Sequence, residues 1–313
     1  MVVATHDRAG RLRRLLDALE EQAAPASDFE VVIVDDASTD QTPEVIAGAT
    51  ASSPLTVRSC RLARNSGPAV ARNAGIEIST APILAFIDDD CVPDADWLAA
   101  GVAGLERGGD IFVVGRTAVP PDQVHLTREP YSRSLTVDSA EFFETCNIFY
   151  RRADIEAVGG FDDALRTGED TDLGHRVRDE LGRRPVFEPA ALVYHDVRAG
   201  SLRDALADTA KWVDLPGVLR KHPITRSEYL HHGVFWKRSH PTAILAMAGI
   251  ALSPLRWFSL VAVLPWVRHR MLVEPRAPGL RRRLGSLPGV FLIDVTEIVT
   301  MIRGGIRYRR FIL

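Results

Sequence analysis

Short apolar segments alternate with helical patterns along the first part of the chain. Residues 31–34 and 81–87 are continuously apolar, which predicts strands that are buried on both faces of a sheet. Leucines recur at helical spacing from Leu12 to Leu19, and Pro68 opens a further helical stretch. Strands that alternate with helices in units of this length predict an α/β fold with a doubly wound, mostly parallel sheet.

The strand predicted at residues 81–87 ends in three adjacent carboxylates, Asp88, Asp89 and Asp90. Open α/β sheets bind ligands at the carboxyl ends of their strands. Three like charges at one place cost free energy unless a cation neutralises them, and hard oxygen ligands suit Mg²⁺ or Mn²⁺. This pattern predicts a metal-dependent site, and a solvated acidic turn is the alternative.

Charge is distributed unevenly along the 313 residues, although the net charge is only −3. Residues 201–313 carry 18 Lys and Arg against 7 Asp and Glu, whereas residues 1–200 carry 20 against 34. A basic tail fits a negatively charged membrane surface or a phosphate-bearing substrate. The three cysteines are too few and too widely spaced for a disulfide framework, which favours a reducing compartment.

The tail contains an apolar stretch that is interrupted near its middle. Residues 243–267 include one charge, Arg256, and two prolines, Pro254 and Pro265. A single membrane span needs about 20 uninterrupted apolar residues. Because cations lie on both flanks, we expect two half-length helices in or re-entering a membrane interface, and a cytoplasmic location at the inner face of the cell membrane. A helical subdomain that packs on the rest of the chain or on a dimer partner is the alternative.

Residues 35–40 (DDASTD), 65–75 (NSGPAVARNAG) and 88–90 (DDD) together resemble the successive signatures of family 2 glycosyltransferases. The resemblance covers about residues 2–215. It implies the Rossmann-like GT-A fold and a nucleotide-sugar donor. We therefore expect a catalytic domain at residues 1–215, with a nucleotide-sugar half at 1–115 and an acceptor half at 116–215. Residues 216–313 form the helical tail.

This resemblance implies that four residues lie near the nucleotide base and that the Asp triplet lies near the ribose and the metal. The base residues are Thr5, His6, Asp36 and Arg72. Asp88 would contact the ribose and Asp90 the metal, with Asp89 between them. A carboxylate can accept from the edge of uracil or guanine, and an arginine can stack on a base or offset diphosphate charge. UDP-, dTDP- and GDP-sugars all stay open, because His6 stands where the family often has Tyr.

The acceptor half contains a second acidic motif, Thr167-Gly168-Glu169-Asp170-Thr171-Asp172-Leu173. It resembles the Glu-Asp motif of the family, which implies that Asp170 is the base of an inverting transfer and that Glu169 lies beside it. Ordinary helix capping is the alternative. His195 ends another predicted strand, and the resemblance implies that it completes the metal site with Mn²⁺ or Mg²⁺. A surface histidine is the alternative there.

We therefore expect a metal-dependent, inverting glycosyltransferase of cell-envelope or glycoconjugate synthesis. The acceptor would be a lipid-linked saccharide or a smaller hydroxyl compound, and no nucleic acid is involved. Residues 208–212 (DTAKW) depart from the Gln-x-x-Arg-Trp of processive relatives, which favours transfer of a single sugar. A non-catalytic membrane scaffold with the same fold is one alternative. A sugar-1-phosphate nucleotidyltransferase is another, but residues 5–10 contain one glycine where that class needs a glycine-rich loop.

Overall fold

The computed structural model describes residues 1–274, 276–310 and 312–313. These residues divide into two compact units. The first unit comprises Met1–Pro121 and Ser134–Asp196, and the second comprises Asp122–Arg133 and Val197–Leu313. The domain boundaries expected from the sequence at residues 115 and 215 stay predictions.

The first unit contains a mixed sheet, which has eight strands within the described residues. The strands are β1 (Val2–Thr5), β2 (Glu30–Asp35), β3 (Thr56–Arg61), β4 (Ile83–Ile87), β5 (Cys91–Pro93), β6 (Ile111–Ala118), β7 (Asn147–Arg151) and β8 (Arg184–His195). Their order is β3-β2-β1-β4-β7-β6-β8-β5. The pairs from β3 to β4 and the pair β6–β8 are parallel, as predicted, whereas β7 runs antiparallel to both of its neighbours and β5 runs antiparallel to β8.

Helices cover both faces of this sheet. They are α1 (Ala9–Glu20), α2 (Thr42–Ser52), α3 (Pro68–Ile78), α4 (Trp97–Glu106), α5 (Arg152–Ala157) and α6 (Glu169–Leu181). Successive strand residues point to opposite faces, so Val3 and Ile87 pack with the leucines of α1, while Val2 and Phe86 pack in a second core with residues of α3 and α6. Burial on both faces explains the continuous apolar runs in the sequence.

The second unit is helical. Its α-helices are α7 (Leu202–Ala210), α8 (Leu215–Lys221), α9 (Thr225–Tyr229), α10 (His240–Leu252), α11 (Leu264–Arg268) and α12 (Leu280–Arg307). Its 3₁₀ helices are Lys211–Asp214 and Trp257–Val263, and His269–Val273 is a π-helical turn. A further 3₁₀ helix, Pro121–Arg128, begins at the last residue before this unit's first segment.

The long helix α12 is the centre of the second unit. Its Met301 packs with Leu215 and Leu219, and its Val290 and Ile298 pack with residues of α10. By length and composition, α12 alone among the described helices could cross a membrane, and half of its most apolar window is buried inside the protein. A core helix of this kind passes the same test, so length and hydropathy do not make α12 a span.

Gly101 tests the packing of α4 on the sheet, because a Cβ there would overlap the ring of the buried Phe149. We expect Gly101→Ala to lower the free energy of unfolding by about 1–3 kcal/mol in urea titrations, since the core must shift to accept a methyl group. Gly48→Ala in α2 is the matched control. Nothing lies within 4 Å of its added Cβ, so the better helix propensity of alanine should leave stability unchanged or raise it by about 0.5–1 kcal/mol. Equal effects at the two positions would contradict this packing.

Candidate active site

The Asp triplet lies directly after β4, at the carboxyl end of the parallel part of the sheet. Asp89 and Asp90 are buried, whereas the side chain of Asp88 is partly exposed. Burial raises the pKa of Asp89 to about 6. Buried carboxylates of like charge need hydrogen bonds and nearby cations, and the structure supplies both.

Arg8, just before α1, bridges two members of the triplet. Its Nη1 lies 2.6 Å from Asp89 Oδ1 and 2.9 Å from Asp90 Oδ2. Thr5, at the end of β1, donates from Oγ1 to Asp89 Oδ2 at 2.7 Å. The ends of β1 and β4 are therefore joined through Asp89.

Two further arginines of α1 extend this cationic edge. Arg11 Nη1 lies 3.4 Å from Asp90 Oδ2, and Arg14 Nη2 lies 2.8 Å from Asp196 Oδ1. The roles of Arg8, Arg11 and Arg14 were not predicted from the sequence. Their spacing of three residues was a usable signal, because residues three apart lie on the same face of a helix.

Arg72, in α3, links the Asp triplet to the second acidic motif. The side chain is buried, and it donates from Nη1 to Glu169 Oε1 at 2.6 Å and from Nη2 to Asp88 Oδ1 at 2.9 Å. Its guanidinium also lies over the ring of Phe161, 5.7 Å from the centroid. One guanidinium thus holds carboxylates that are 81 residues apart in the sequence in a single ion-pair network.

Glu169 and Asp170 are the first two residues of α6. Gly168 precedes them in the left-handed conformation, with φ of +77°, which a residue with a side chain adopts only under strain. Burial raises the pKa of Glu169 to about 7 and also raises the pKa of Asp170. The backbone N–H of Thr171 donates to Asp170 Oδ1 at 2.7 Å. A carboxylate with a raised pKa is a stronger base when it is ionised, which makes it a suitable proton acceptor.

Besides Glu169 and Asp170, this region contains Glu144, which was not predicted from the sequence as a site residue. Burial raises its pKa to about 7, and the negative charge of Asp170 contributes to this shift. The neighbouring Phe143 and Cys146 are both buried. Because these neighbouring residues in the sequence are apolar, the sequence could have indicated that an acid at position 144 is desolvated.

Asp90, Cys91 and His195 form a cluster of potential metal ligands, with one ligand atom from each lying within 4.8 Å of the others. His195 Nδ1 lies 3.0 Å from the carbonyl oxygen of Asp196, and His195 Nε2 lies 3.4 Å from Asp90 Oδ1. A proton on Nδ1 would leave the Nε2 lone pair directed at the cluster. The carboxylate and the imidazole fit a divalent cation. The thiol of Cys91 fits poorly, because burial raises its pKa well above the ordinary value.

Asp36 and His6 lie at the ends of the neighbouring strands. The two carboxylate oxygens of Asp36 accept from the backbone N–H groups of Ser66 at 2.6 Å and Gly67 at 2.8 Å, which fixes the loop before α3. The Asp36 N–H donates to the carbonyl of Thr5 at 2.8 Å. His6 is partly exposed, with Nε2 3.4 Å from Asp7 Oδ2. The structure thus brings the ten sequence-selected residues to one edge of the sheet, and their individual roles stay predictions.

Comparison with protein families gives a match over residues 1–157 to the family described as glycosyl transferase family 2. Glycosyltransferase AglE of Haloferax volcanii is 29% identical in an alignment of 252 positions that covers 71% of this chain and 82% of AglE. The pre-mycofactocin glycosyltransferase of Mycobacterium tuberculosis is 30% identical in an alignment of 222 positions that covers 67% of this chain and 45% of that protein. Succinoglycan biosynthesis protein ExoO of Rhizobium meliloti is 32% identical, and the match covers 66% of this chain and 62% of ExoO.

Solved structures of glycosyltransferases share the fold. The mannosyltransferase PcManGT from Pyrobaculum calidifontis, in complex with GDP-Man and Mn²⁺, gives a TM-score of 0.59 at 19% identity, covering 98% of this chain and 86% of that one. TarS 1-349 of Staphylococcus aureus, in complex with UDP-GlcNAc, gives a TM-score of 0.54 at 16% identity, covering 99% and 91%. The predicted GT-A fold, a Rossmann-like sheet followed by a helical segment, is confirmed.

Arg72 tests the network that joins the two acidic motifs. We expect Arg72→Met to lower the free energy of unfolding by roughly 3 kcal/mol, because it leaves Glu169 buried beside Asp170 without its cation. The loss should grow as the pH rises above about 7, because Arg72 lowers the pKa of Glu169, and without it the buried carboxyl must stay protonated or ionise unpaired at a pH where the wild-type group is already ionised. Urea unfolding at several pH values measures both effects.

The control for this experiment is Arg64→Met, which removes an exposed guanidinium from the loop before α3. It should change stability by less than about 0.5 kcal/mol at every pH. If Arg72→Met behaved like this control, the conclusion that Arg72 forms a buried ion-pair bridge would be contradicted.

Proposed function

The chain belongs to glycosyl transferase family 2, and from this premise we propose that it moves one sugar from a nucleotide-sugar donor to a hydroxyl acceptor, with inversion at the anomeric carbon. The observation that carries the proposal is the Arg72 bridge, which joins the acids after β4 to the acid pair of α6. Inverting transfer needs a donor-side acidic site and a carboxylate base close to each other, and this network supports that arrangement.

UDP-, dTDP- or GDP-sugars are the proposed donors. Relatives of the same fold bind GDP-Man and UDP-GlcNAc. The donor-binding residues would be Thr5, His6, Asp36, Arg72, Asp88 and Asp89. The arginines Arg8 and Arg11 lie beside this set and can offset the negative charge of a diphosphate.

Asp90 and His195 would hold the divalent cation. A carboxylate suits both Mg²⁺ and Mn²⁺, whereas an imidazole ligand favours Mn²⁺ over the harder Mg²⁺. The complex of PcManGT with Mn²⁺ is consistent with this choice. When bound, the ion would supply Lewis-acid chemistry that offsets the charge developing on the leaving diphosphate.

Asp170 would be the base, with Glu169 beside it. An Asp170 oxygen accepts the proton of the acceptor hydroxyl as that oxygen forms its bond to the anomeric carbon. The bond from the anomeric carbon to the diphosphate oxygen breaks at the same time, and its electron pair leaves with the diphosphate. Burial favours this role because it raises the pKa of Asp170, which makes the ionised carboxylate a stronger base.

We propose that the acceptor is lipid-linked and that the tail contacts the inner face of the cell membrane. The tail carries the basic excess of the chain, and the similarity to succinoglycan biosynthesis protein ExoO is consistent with cell-envelope synthesis. The departure of residues 208–212 from the processive pattern supports the transfer of one sugar per reaction. A membrane scaffold that has lost turnover is the alternative that the first experiment below separates.

The proposed function is tested by a panel of UDP-, dTDP- and GDP-sugars in the presence of Mn²⁺, Mg²⁺ or EDTA. We expect one donor to bind and to be hydrolysed slowly, with water as the acceptor, only when the metal is present. Calorimetry measures the binding, and release of the nucleoside diphosphate measures the hydrolysis. Binding that is unaffected by EDTA would remove the metal from the proposal. Absence of binding to every donor would favour the scaffold.

Asp170→Asn tests the base. We expect donor binding to stay within about threefold of wild type and hydrolysis of the selected donor to fall by about 10²–10⁴-fold, because an amide cannot accept the proton. Asp179→Asn, at an exposed site on the same helix, should change neither quantity.

The pH dependence distinguishes Asp170 from its neighbour. The rate should fall as the pH drops through the raised pKa of the acid pair, because the base works only when ionised. Glu169→Gln removes the adjacent negative charge and should move this decline to lower pH. Full activity of Asp170→Asn would eliminate Asp170 as the base.

A further inference from the structure

The second unit contains a helical hairpin formed by α10 and the 3₁₀ helix Trp257–Val263. Ser259 Oγ donates to the carbonyl of Gly249 at 2.6 Å. A Cβ on Gly249 would lie 2.8 Å from Cβ of Ala262, so the two arms are in close contact. Pro254 and Arg256 lie in the turn between the arms, where they interrupt the apolar stretch of the sequence.

The outer side of this hairpin is apolar and open to solvent. Leu255 is 83% exposed and Trp257 is 80% exposed. We define the hairpin surface as Leu252, Leu255, Trp257, Phe258, Val261 and Leu264, all of which are exposed. Soluble monomers rarely expose so many large apolar side chains within one short segment, and such patches usually mark an interaction site.

The charges around the hairpin indicate which kind of partner would cover this surface. Residues 238–273 contain no Asp or Glu. The exposed charged side chains of this part and of the start of α12 are arginines, namely Arg238, Arg256, Arg268, Arg281 and Arg282. A second copy of the chain would bring like charges together, whereas an anionic lipid surface complements them.

The length of the hairpin and its residue types indicate that it would lie along a membrane and not cross it. The 13 residues of α10 extend about 20 Å, which is shorter than the roughly 30 Å of a bilayer core. Arg256 stands between Leu255 and Trp257, so a cation and an indole occupy the turn. Both groups are favoured at the level of the lipid headgroups.

The long helix α12 also exposes apolar side chains, Leu284, Leu292 and Ile306 among them, but its acids tie it to the interior of the unit. Its Asp294 accepts from Arg270 Nε at 3.0 Å, and its Glu297 lies 2.7 Å from Lys237 Nζ. Asp294 and Glu297 are buried, so the polar side of α12 faces the interior of the unit. These buried ion pairs hold α12 in the unit, and its exposed apolar face is additional to the hairpin surface.

We propose that the hairpin surface lies in the interface of an anionic phospholipid membrane, with its apolar side chains among the upper acyl groups and its arginines at the phosphates. This proposal deepens the membrane contact of the proposed function and rests on it for the acceptor class. A chain held in this way meets a lipid-borne hydroxyl acceptor at a raised local concentration.

The test is co-sedimentation of the full chain with vesicles of phosphatidylcholine, with or without phosphatidylglycerol. We expect binding that requires phosphatidylglycerol and weakens with salt. The double variant Trp257→Ser/Phe258→Ser should reduce binding at least tenfold, because it removes two large apolar anchors. Arg256→Gln should reduce it about fivefold, the effect of one cation near an anionic surface.

Ile224→Ser is the matched control, since Ile224 is an exposed apolar residue of the same unit outside the hairpin. It should bind vesicles like wild type. Donor binding should be unchanged in all these variants, so that failure of the membrane proposal and failure of the proposed function are separate results.

Three outcomes would overturn the proposal. In the first, the wild-type protein sediments with neither vesicle, and in the second, the double variant Trp257→Ser/Phe258→Ser binds vesicles as well as wild type does. The third is a stable dimer, seen by light scattering without lipid, that the same double variant dissociates. A second copy of the chain would then cover the hairpin surface.

Discussion

Two guanidinium groups hold together the acidic edge on which the first unit depends. Arg72 reaches this edge from α3 and Arg8 from the residue before α1, and each is bonded to two carboxylates. Buried carboxylates of like charge would repel one another and protonate without such cations. The arginines therefore make it possible for the carboxyl ends of the strands and the start of α6 to form one polar site inside an otherwise apolar fold.

Strand β7 runs antiparallel to β4, so its first residue lies at the same edge of the sheet as the Asp triplet. Asn147 begins β7, and its amide satisfies three groups: it accepts from Trp97 Nε1 and donates to the carbonyls of Arg116 and Ala191, each at 2.8 Å. These bonds lie beside the irregularity between Gly115 and Arg116, where the pairing of β6 with β8 shifts. A fully bonded amide thus compensates for ladder bonds that the irregularity disrupts, at a point where buried polar groups would otherwise be costly.

In the second unit, as in the first, buried carboxylates are paired with cations. Its long helix carries Asp294 and Glu297 in the core, and each is paired with a cation from elsewhere in the unit. Burial alone would raise the pKa of Glu297, but His240 and Lys237 lower it to about 2, while Arg270 pairs with Asp294. With the acids of α12 directed inward, its outer face exposes apolar side chains such as Leu284 and Ile306, and the hairpin adds the highly exposed Leu255 and Trp257.

The pattern of apolar runs predicts the central strands of the sheet and the helices between them, and the motifs identify the candidate acids. Continuous apolar runs identify strands that are buried on both faces, and the order of the motifs indicated the family. Which charges meet, by contrast, follows from the folding of the whole chain. Arg8 and Asp90 are 82 residues apart, and Arg72 and Glu169 are 97 apart, so no local pattern could pair them. The reversal of β7 was equally hidden, because strand direction depends on the path of the chain between strands. Local periodicity records burial, whereas pairing between distant residues is settled only when the sheet assembles.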